Sequence, residues 1–240
     1  MSQKIALVFG GTRGIGAACV HQFAEQGFDV AYTYVSSAPN VAKHIGGSRT
    51  QGYAVDICDA AQVEQVFASV AKDFGAAPTC VLANAGINVP PGPLAQFKPE
   101  SFRQLVEVNI VGAFNVLSAA ARHVQDGGSI LALTTSMVRV GIPGGGPYTA
   151  TKAAVESLLR SMAKEVAPRG VRVNGVAPGP VDTDLFRAGK TDEVKARSAA
   201  LSPFNRIGTP EEIAEVVCFL ASDKASWIHG QIIQPNGGMV

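Results

Sequence analysis

Short, almost wholly apolar runs alternate with longer helical stretches from end to end of this 240-residue chain. The runs at 4–9 (KIALVF), 29–35 (DVAYTYV), 51–55 (QGYAV), 79–83 (TCVLA), 129–135 (SILALTT), 171–176 (VRVNGV) and 231–235 (QIIQP) have the length of strands. Between them, apolar spacing and chain breakers predict helices over about 14–27, 59–74, 99–122, 149–167 and 210–221, and a polar helical stretch over 181–200. Pro99 and Pro210 stand at helix starts, where a missing N–H costs little, and Pro168 stops the helix that precedes it. Strands that are apolar along their whole length must be covered on both faces. Their alternation with helices predicts a parallel sheet, and right-handed crossovers make that sheet doubly wound. The expected architecture is one α/β domain over residues 1–240: a Rossmann sheet of seven mostly parallel strands with helices on both faces.

Charge narrows what such a domain can do. Twenty Lys and Arg against nineteen Asp and Glu leave a net charge of +1. That balance provides no electrostatic footprint for nucleic acid or an anionic membrane. No two of Cys19, Cys58, Cys80 and Cys218 form a CxxC, and no His stands at zinc spacing, so no metal site is expected. The five apolar residues Ile5–Phe9 are too few for a signal-peptide core, and no apolar run approaches a membrane span. Sparse cysteines of this kind predict reduced thiols and a cytoplasmic protein.

Glycine is abundant, 26 residues of 240, so individual glycines carry information. After the first apolar run the sequence reads G-G-T-R-G-I-G over 10–16 and then enters a helix. Gly10 permits a tight turn, Gly14 lets backbone approach a pyrophosphate, and Gly16 lets helix pack closely on strand. The helix N-terminus adds free N–H groups for the anion. The expectation is a dinucleotide site. An acid about 20 residues further on would hold the 2′-hydroxyl of NAD, but this chain has Tyr34-Val35-Ser36-Ser37 there. Arg13, inside the loop, offers a fork that suits a phosphate, which predicts NADP(H); the alternative is a solvated loop arginine.

A second cluster points to proton transfer. Tyr148 and Lys152 are four residues apart at the start of a helix and share a face. A nearby ammonium favours phenolate, so the spacing predicts a phenol with a lowered pKa. Thr134-Thr135-Ser136 close the strand just before, at the carboxyl end where ligands of such sheets bind. One of these hydroxyls can hold a carbonyl oxygen, or they simply cap the turn. Asn109 interrupts an apolar helix (VEVNIVGAF), so its amide needs a partner. Asp56 reads either as an acceptor for an adenine amino group or as the N-cap of 59–74. The glycine-rich stretch 141–147 (GIPGGGP) is either a flexible connection or backbone held close to a ligand.

Together these residues resemble the short-chain dehydrogenase/reductase family over essentially the whole chain. The family's glycine loop appears as Phe9-Gly10-Gly11-Thr12-Arg13-Gly14-Ile15-Gly16 and its N-N-A-G as Ala83-Asn84-Ala85-Gly86. Its helix Asn matches Asn109, its Y-x-x-x-K Tyr148 and Lys152, and its P-G Pro178-Gly179. Asn174, Thr183 and Asn236-Gly237-Gly238 resemble further marks. Phe9 and Ala83 depart from the pattern and remove two side chains that would tether the backbone. Thr135 stands where the family has its catalytic Ser, with Ser136 one residue closer to the Tyr.

The resemblance implies an NADP(H)-dependent oxidoreductase that reduces a carbonyl to an alcohol. Tyr148 would donate the proton, Lys152 would hold the nicotinamide ribose, Thr135 or Ser136 would hold the oxygen, and Asn109 would fix a relay water. Cofactor contacts are implied for Gly10, Thr12, Arg13, Gly14, Ile15, Gly16, Ser36, Asp56, Ile57, Asn84, Ala85, Gly86, Tyr148, Lys152, Pro178, Gly179, Val181 and Thr183. Substrate contacts fall on 88–94, 137–147, Leu185 and Phe186, mostly apolar residues that suit a small ketone or a 3-oxoacyl thioester. Similar reductases act on thioesters borne by an acidic carrier protein, a use that predicts a basic docking patch to which Arg103, Arg122, Arg169 and Arg172 could contribute; the alternative is that these scattered arginines are a solvated face. The alternative function is a nucleotide-binding sensor with little catalysis. The helix 149–167 turns Val155, Leu158, Leu159, Met162 and Val166 to the sheet. Its other face carries Ala150, Ala154, Ser157 and Ser161, which fits the homodimer or homotetramer seen in related enzymes.

Overall fold

The computed structural model describes residues 4–36 and 41–240; Ser37 lies outside them. The described residues form an eight-stranded sheet in the order β3-β4-β2-β1-β5-β6-β7-β8. The strands are β1 (Ile5–Phe9), β2 (Asp29–Tyr34), β3 (His44–Ile45), β4 (Ser48–Ala54), β5 (Cys80–Ala83), β6 (Ser129–Leu133), β7 (Arg172–Val176) and β8 (Ile232–Ile233). Every pairing is parallel except β3 with β4. The eighth strand is the one missed by the count of seven. It belongs to a hairpin turned by Gly46 and Gly47, both at positive φ, and a Gly-Gly pair is the chemistry of a two-residue hairpin turn. The last predicted strand shrinks from 231–235 to two residues.

The two faces are covered by separate cores. On one face α1 (Gly14–Glu25) and α9 (Pro210–Ala221) bury Cys19, Phe23, Val217 and Cys218 with Val8, Val30 and Leu82 of the sheet. On the other, α2 (Ala60–Phe74), α4 (Ala113–His123) and α6 (Gly146–Val166) bury Phe67, Leu117 and Leu159 with Leu7, Phe9 and Ile130. The helix predicted over 99–122 is not uniform. It runs as α3 (Pro99–Val106), a widened π turn over Glu107–Gly112, and α4. By length and mean hydropathy Pro99–His123 is apolar enough to cross a membrane, yet Leu105, Asn109, Val116, Leu117 and Ala120 are buried in the protein core. The stretch 181–200 divides into α7 (Asp184–Arg187) and α8 (Asp192–Ala199), opened by the hydroxyl caps of Thr183 and Thr191. A short α5 (Met137–Val140) follows β6. On α6, Val155, Leu159, Met162 and Val166 are buried, Leu158 is half-buried, and Ala150, Ser157 and Ser161 are exposed.

The four arginines weighed as a docking patch are engaged elsewhere. Arg169 bonds Asp126 and the carbonyls of Ala121 and Val124, closing the end of α4. Arg172 donates to the carbonyls of Leu220, Ala221, Ser222 and Ala225 and so caps the C-terminus of α9. Arg122 pairs with Glu64 and Arg103 with Glu100. Arg169 and Arg172 are therefore helix caps, whereas Arg103 and Arg122 stay on the surface beside carboxylates. Arg172→Ala leaves those carbonyls without their donor and should cost about 2–3 kcal/mol of stability in urea unfolding.

The sheet order reverses at β1, whose neighbours are β2 and β5. A crevice opens at the carboxyl ends of the strands on either side of such a point. The loops after β1, β5, β6 and β7 all emerge there.

Candidate active site

The glycine loop is shaped by backbone geometry and two tethers. Gly10 and Gly14 sit at φ +77° and +52°, a region that side chains rarely enter. A Cβ on Gly16 would lie 2.0 Å from the Gly10 carbonyl oxygen and 2.5 Å from Asn84 Nδ2. The Asn84 amide donates to the carbonyls of Gly10 (2.8 Å) and Phe9 (3.3 Å), locking the loop to the end of β5. The Gly10 N–H donates to Thr33 Oγ1 at 3.1 Å. Thr33 supplies a tether of the kind lost with Phe9, which is fully buried in the core; nothing local in the sequence marks Thr33 for it. Among the described residues no side chain caps the first turn of α1, so its N–H groups are left for an anion. Arg13 is exposed beside them. The cradle therefore fits a dinucleotide pyrophosphate.

The other cofactor positions border this cradle. Thr12 and Ile15 are half-buried in the loop, Ile57 is buried after β4, and Ser36 is exposed after β2. Asp56 is exposed and accepts from the Cys58 N–H at 2.9 Å. The N-cap of α2 is Asp59, which accepts from Ala61 and Gln62, so the capping reading of Asp56 is corrected. Thr183 lies close to Gly14: a Cβ there would be 3.2 Å from the Thr183 methyl. Val181 and Pro178 are buried, and Gly179 must be glycine-sized because a Cβ would meet Asn236 at 3.0 Å.

Asn109 finds the partner its position demanded. Its Oδ1 accepts from the Ile87 N–H and its Nδ2 donates to the Ile87 carbonyl, both at 2.9 Å. Nδ2 also donates to Thr151 Oγ1 (3.2 Å), whose hydroxyl donates to the Tyr148 carbonyl (2.7 Å). The π turn thus links the loop after β5 to the first turn of α6. Lys152 enters from the same helix, and its Nζ donates to the Leu133 carbonyl at 3.0 Å. Ala85 is half-buried beside Gly86; a Cβ on Gly86 would stand 3.1 Å from Asn109 Oδ1 and 3.4 Å from Lys152 Nζ. The bare backbone there lets amide, amine and loop converge.

Burial governs both titratable groups. It pushes the Tyr148 phenol up to about 12 and the Lys152 ammonium down to about 8. The lowered phenol expected from the four-residue spacing is corrected: the amine is turned to the end of β6, and desolvation favours the neutral form of each group. A phenol of ordinary value, near 10, is already protonated at neutral pH; burial strengthens that state, which is suited to giving a proton.

The three hydroxyls at the end of β6 separate cleanly. Thr134 donates to the Glu156 carboxylate at 3.1 Å. Ser136, fully buried, donates to the Ala177 carbonyl at 2.6 Å and accepts from Asn236 Nδ2 at 3.1 Å. Thr135 Oγ1 accepts from the Met137 N–H at 3.3 Å, and its own proton has no acceptor among the described residues. Thr135 is therefore the hydroxyl with a proton left to donate, in agreement with its spacing from Tyr148. Of the two readings of 141–147, neither flexibility nor a ligand is needed at Gly144. Its carbonyl accepts from the Gly92 N–H at 3.3 Å, and a Cβ on Gly144 would meet Gly92 at the same distance. Two loops of the cleft are joined there, and Leu94, Val140 and Leu185 stand exposed on these segments and on α7.

A family model described as enoyl-(acyl carrier protein) reductase matches residues 10–240. A chloroplastic NADPH-dependent aldehyde reductase-like protein of Arabidopsis thaliana is 36% identical over 257 residues, covering 100% of this chain and 95% of the relative. The 3-oxoacyl-[acyl-carrier-protein] reductase FabG of Staphylococcus aureus is 38% identical over 243 residues, covering 98% of each chain. Among solved structures, a short-chain dehydrogenase/reductase from Serratia marcescens BCRC 10948 superposes with a TM-score of 0.91 at 33% identity, covering 98% of this chain and 97% of that one.

Proposed function

We propose that this chain, which belongs to the short-chain dehydrogenase/reductase family and is an oxidoreductase, uses NADPH to reduce a carbonyl compound to an alcohol with Tyr148 as proton donor. The observation that carries the reading is the free proton on Thr135 beside the helix that presents a protonated Tyr148, at the strand ends next to an uncapped glycine-loop helix. Bound NADPH supplies a hydride. The glycine loop and the first turn of α1 would hold its pyrophosphate, and Lys152 its nicotinamide ribose. Tyr148 gives its proton to the carbonyl oxygen, and Thr135 shares the negative charge that develops there. Asn109 orients the first turn of α6 through Thr151. The apolar residues Leu94, Val140 and Leu185 favour a substrate with a hydrophobic body, a ketone or a 3-oxoacyl thioester.

The test is a panel of ketones, aldehydes, acetoacetyl thioesters and an enoyl thioester, with NADPH oxidation followed optically. Reduction of a ketone, aldehyde or acetoacetyl thioester is expected; reduction of the enoyl thioester alone would move the reaction to a carbon–carbon double bond. Thr135→Val should lower kcat about 10²-fold and cost about 1 kcal/mol of stability for the Met137 N–H it leaves without a partner. Ser136→Ala should instead cost about 1–2 kcal/mol of stability and spare kcat, because its hydroxyl is spent on Ala177 and Asn236. The opposite ranking would give the substrate oxygen to Ser136. Arg13→Ala should remove most of the preference for NADPH over NADH, measured as the ratio of kcat/KM values; an unchanged ratio excludes Arg13 from the 2′-phosphate.

A further inference from the structure

Glu156 is a buried carboxylate with no part in the chemistry above. Its side chain is 2% exposed. Arg139 approaches it as a fork, Nη1 to Oε1 and Nη2 to Oε2, both at 2.7 Å. Thr134 Oγ1 donates to Oε1 at 3.1 Å, and Arg160 stands 3.8 Å away. Thr134 directly precedes Thr135, and Arg139 follows it by four residues. A single carboxylate is thus bonded at both ends of the short segment that carries the Thr135 hydroxyl. Tyr148, Lys152 and Glu156 repeat every four residues along α6, so the same helical face holds the phenol, the amine and this anchor.

We propose that Glu156 is a positioning residue: clamped by Arg139 and Thr134, it sets where the Thr135 hydroxyl stands relative to the Tyr148 phenol. The inference rests on the roles given to those two residues above. A buried ion pair is a poor device for stability alone, since apolar side chains of similar volume often serve as well or better. A bidentate guanidinium–carboxylate pair does fix orientation. Two groups that must meet one oxygen atom need that: a misplacement near 1 Å can cost about 10²-fold in rate. Glu156 does not act by contact with Lys152, whose Nζ is bonded to Leu133.

The decisive variant is Arg139→Met/Glu156→Leu, which removes the clamp and leaves no buried charge behind. It should melt at or above the wild-type temperature, bind NADPH by fluorescence titration within about twofold of wild type, and lose about 30- to 100-fold in kcat. Turnover within about twofold of wild type in this folded variant would overturn the proposal. Should the double variant not fold, Glu156→Gln carries the same test: it keeps the Thr134 bond and one bond to Arg139, and a loss of at least threefold in kcat at unchanged NADPH affinity is expected. If the wild-type chain reduces no carbonyl compound, the functional reading falls by itself. Amide exchange of Met137, whose N–H is held by Thr135 Oγ1, then decides the clamp alone. Exchange at least tenfold faster in the variant supports it, and unchanged protection overturns it.

Discussion

Tyr148→Phe should lower kcat about 10³-fold or more, equivalent to roughly 4 kcal/mol of barrier, while NADPH binds within about twofold of its wild-type affinity. The phenol makes no hydrogen bond to other described residues, and burial raises a value that already keeps it protonated at neutral pH. Removing the oxygen therefore leaves packing intact and takes away one proton. The melting temperature is expected to stay within about 2 °C, since a side chain without a buried partner loses nothing on truncation. Stopped-flow and steady-state NADPH oxidation, with fluorescence titration of the cofactor, separate the two effects. Turnover that survives the substitution would remove Tyr148 from the reaction.

Gly16→Ala is the second large effect, and it comes from shape. The added methyl would stand 2.0 Å from the Gly10 carbonyl oxygen, a backbone atom that Asn84 holds in place. Neither group is the loose end of a flexible side chain, so the loop or the start of α1 must move. The expected cost is about 3 kcal/mol or more of stability, with at least a 10²-fold loss of NADPH affinity. Gly75→Ala is the control. It is strained by a φ of +82° but meets nothing within 4 Å. It should cost about 1–2 kcal/mol without changing NADPH affinity. Equal NADPH affinity in Gly16→Ala and wild type would detach the loop from the cofactor.

Much of the fold was legible because the central strands β1, β5 and β6 are apolar and buried along nearly their whole length and each long helix carries its own start or stop. The strand β4 (Ser48–Ala54), which is largely polar, begins three residues before the stretch 51–55 read for it. Pro99, Thr209-Pro210 and Pro168 mark ends that the structure places within a few residues. The hairpin strand His44–Ile45 escaped because two residues have no period to read, although Gly46-Gly47 held a turn signal. The π turn escaped because the apolar spacing of 99–122 continues straight through it. In the site, glycines and the Tyr–Lys pair are local patterns and could be found. Thr33, Thr151 and Glu156 could not, since the partners that give them meaning lie 23, 42 and 22 residues away. The direction of the phenol shift was misread for a related reason: spacing reports which groups are neighbours but not how far water is excluded from them.

The contact between Gly92 and Gly144 has a practical corollary. It is made by main-chain atoms, so no side chain on either loop is committed to it. Randomising 88–91, Val140, Ile142 and Pro143 while keeping these two glycines and Arg139, which holds Glu156, should retune which compounds are accepted and leave the wall of the cleft standing. An enzyme engineer would begin the library there.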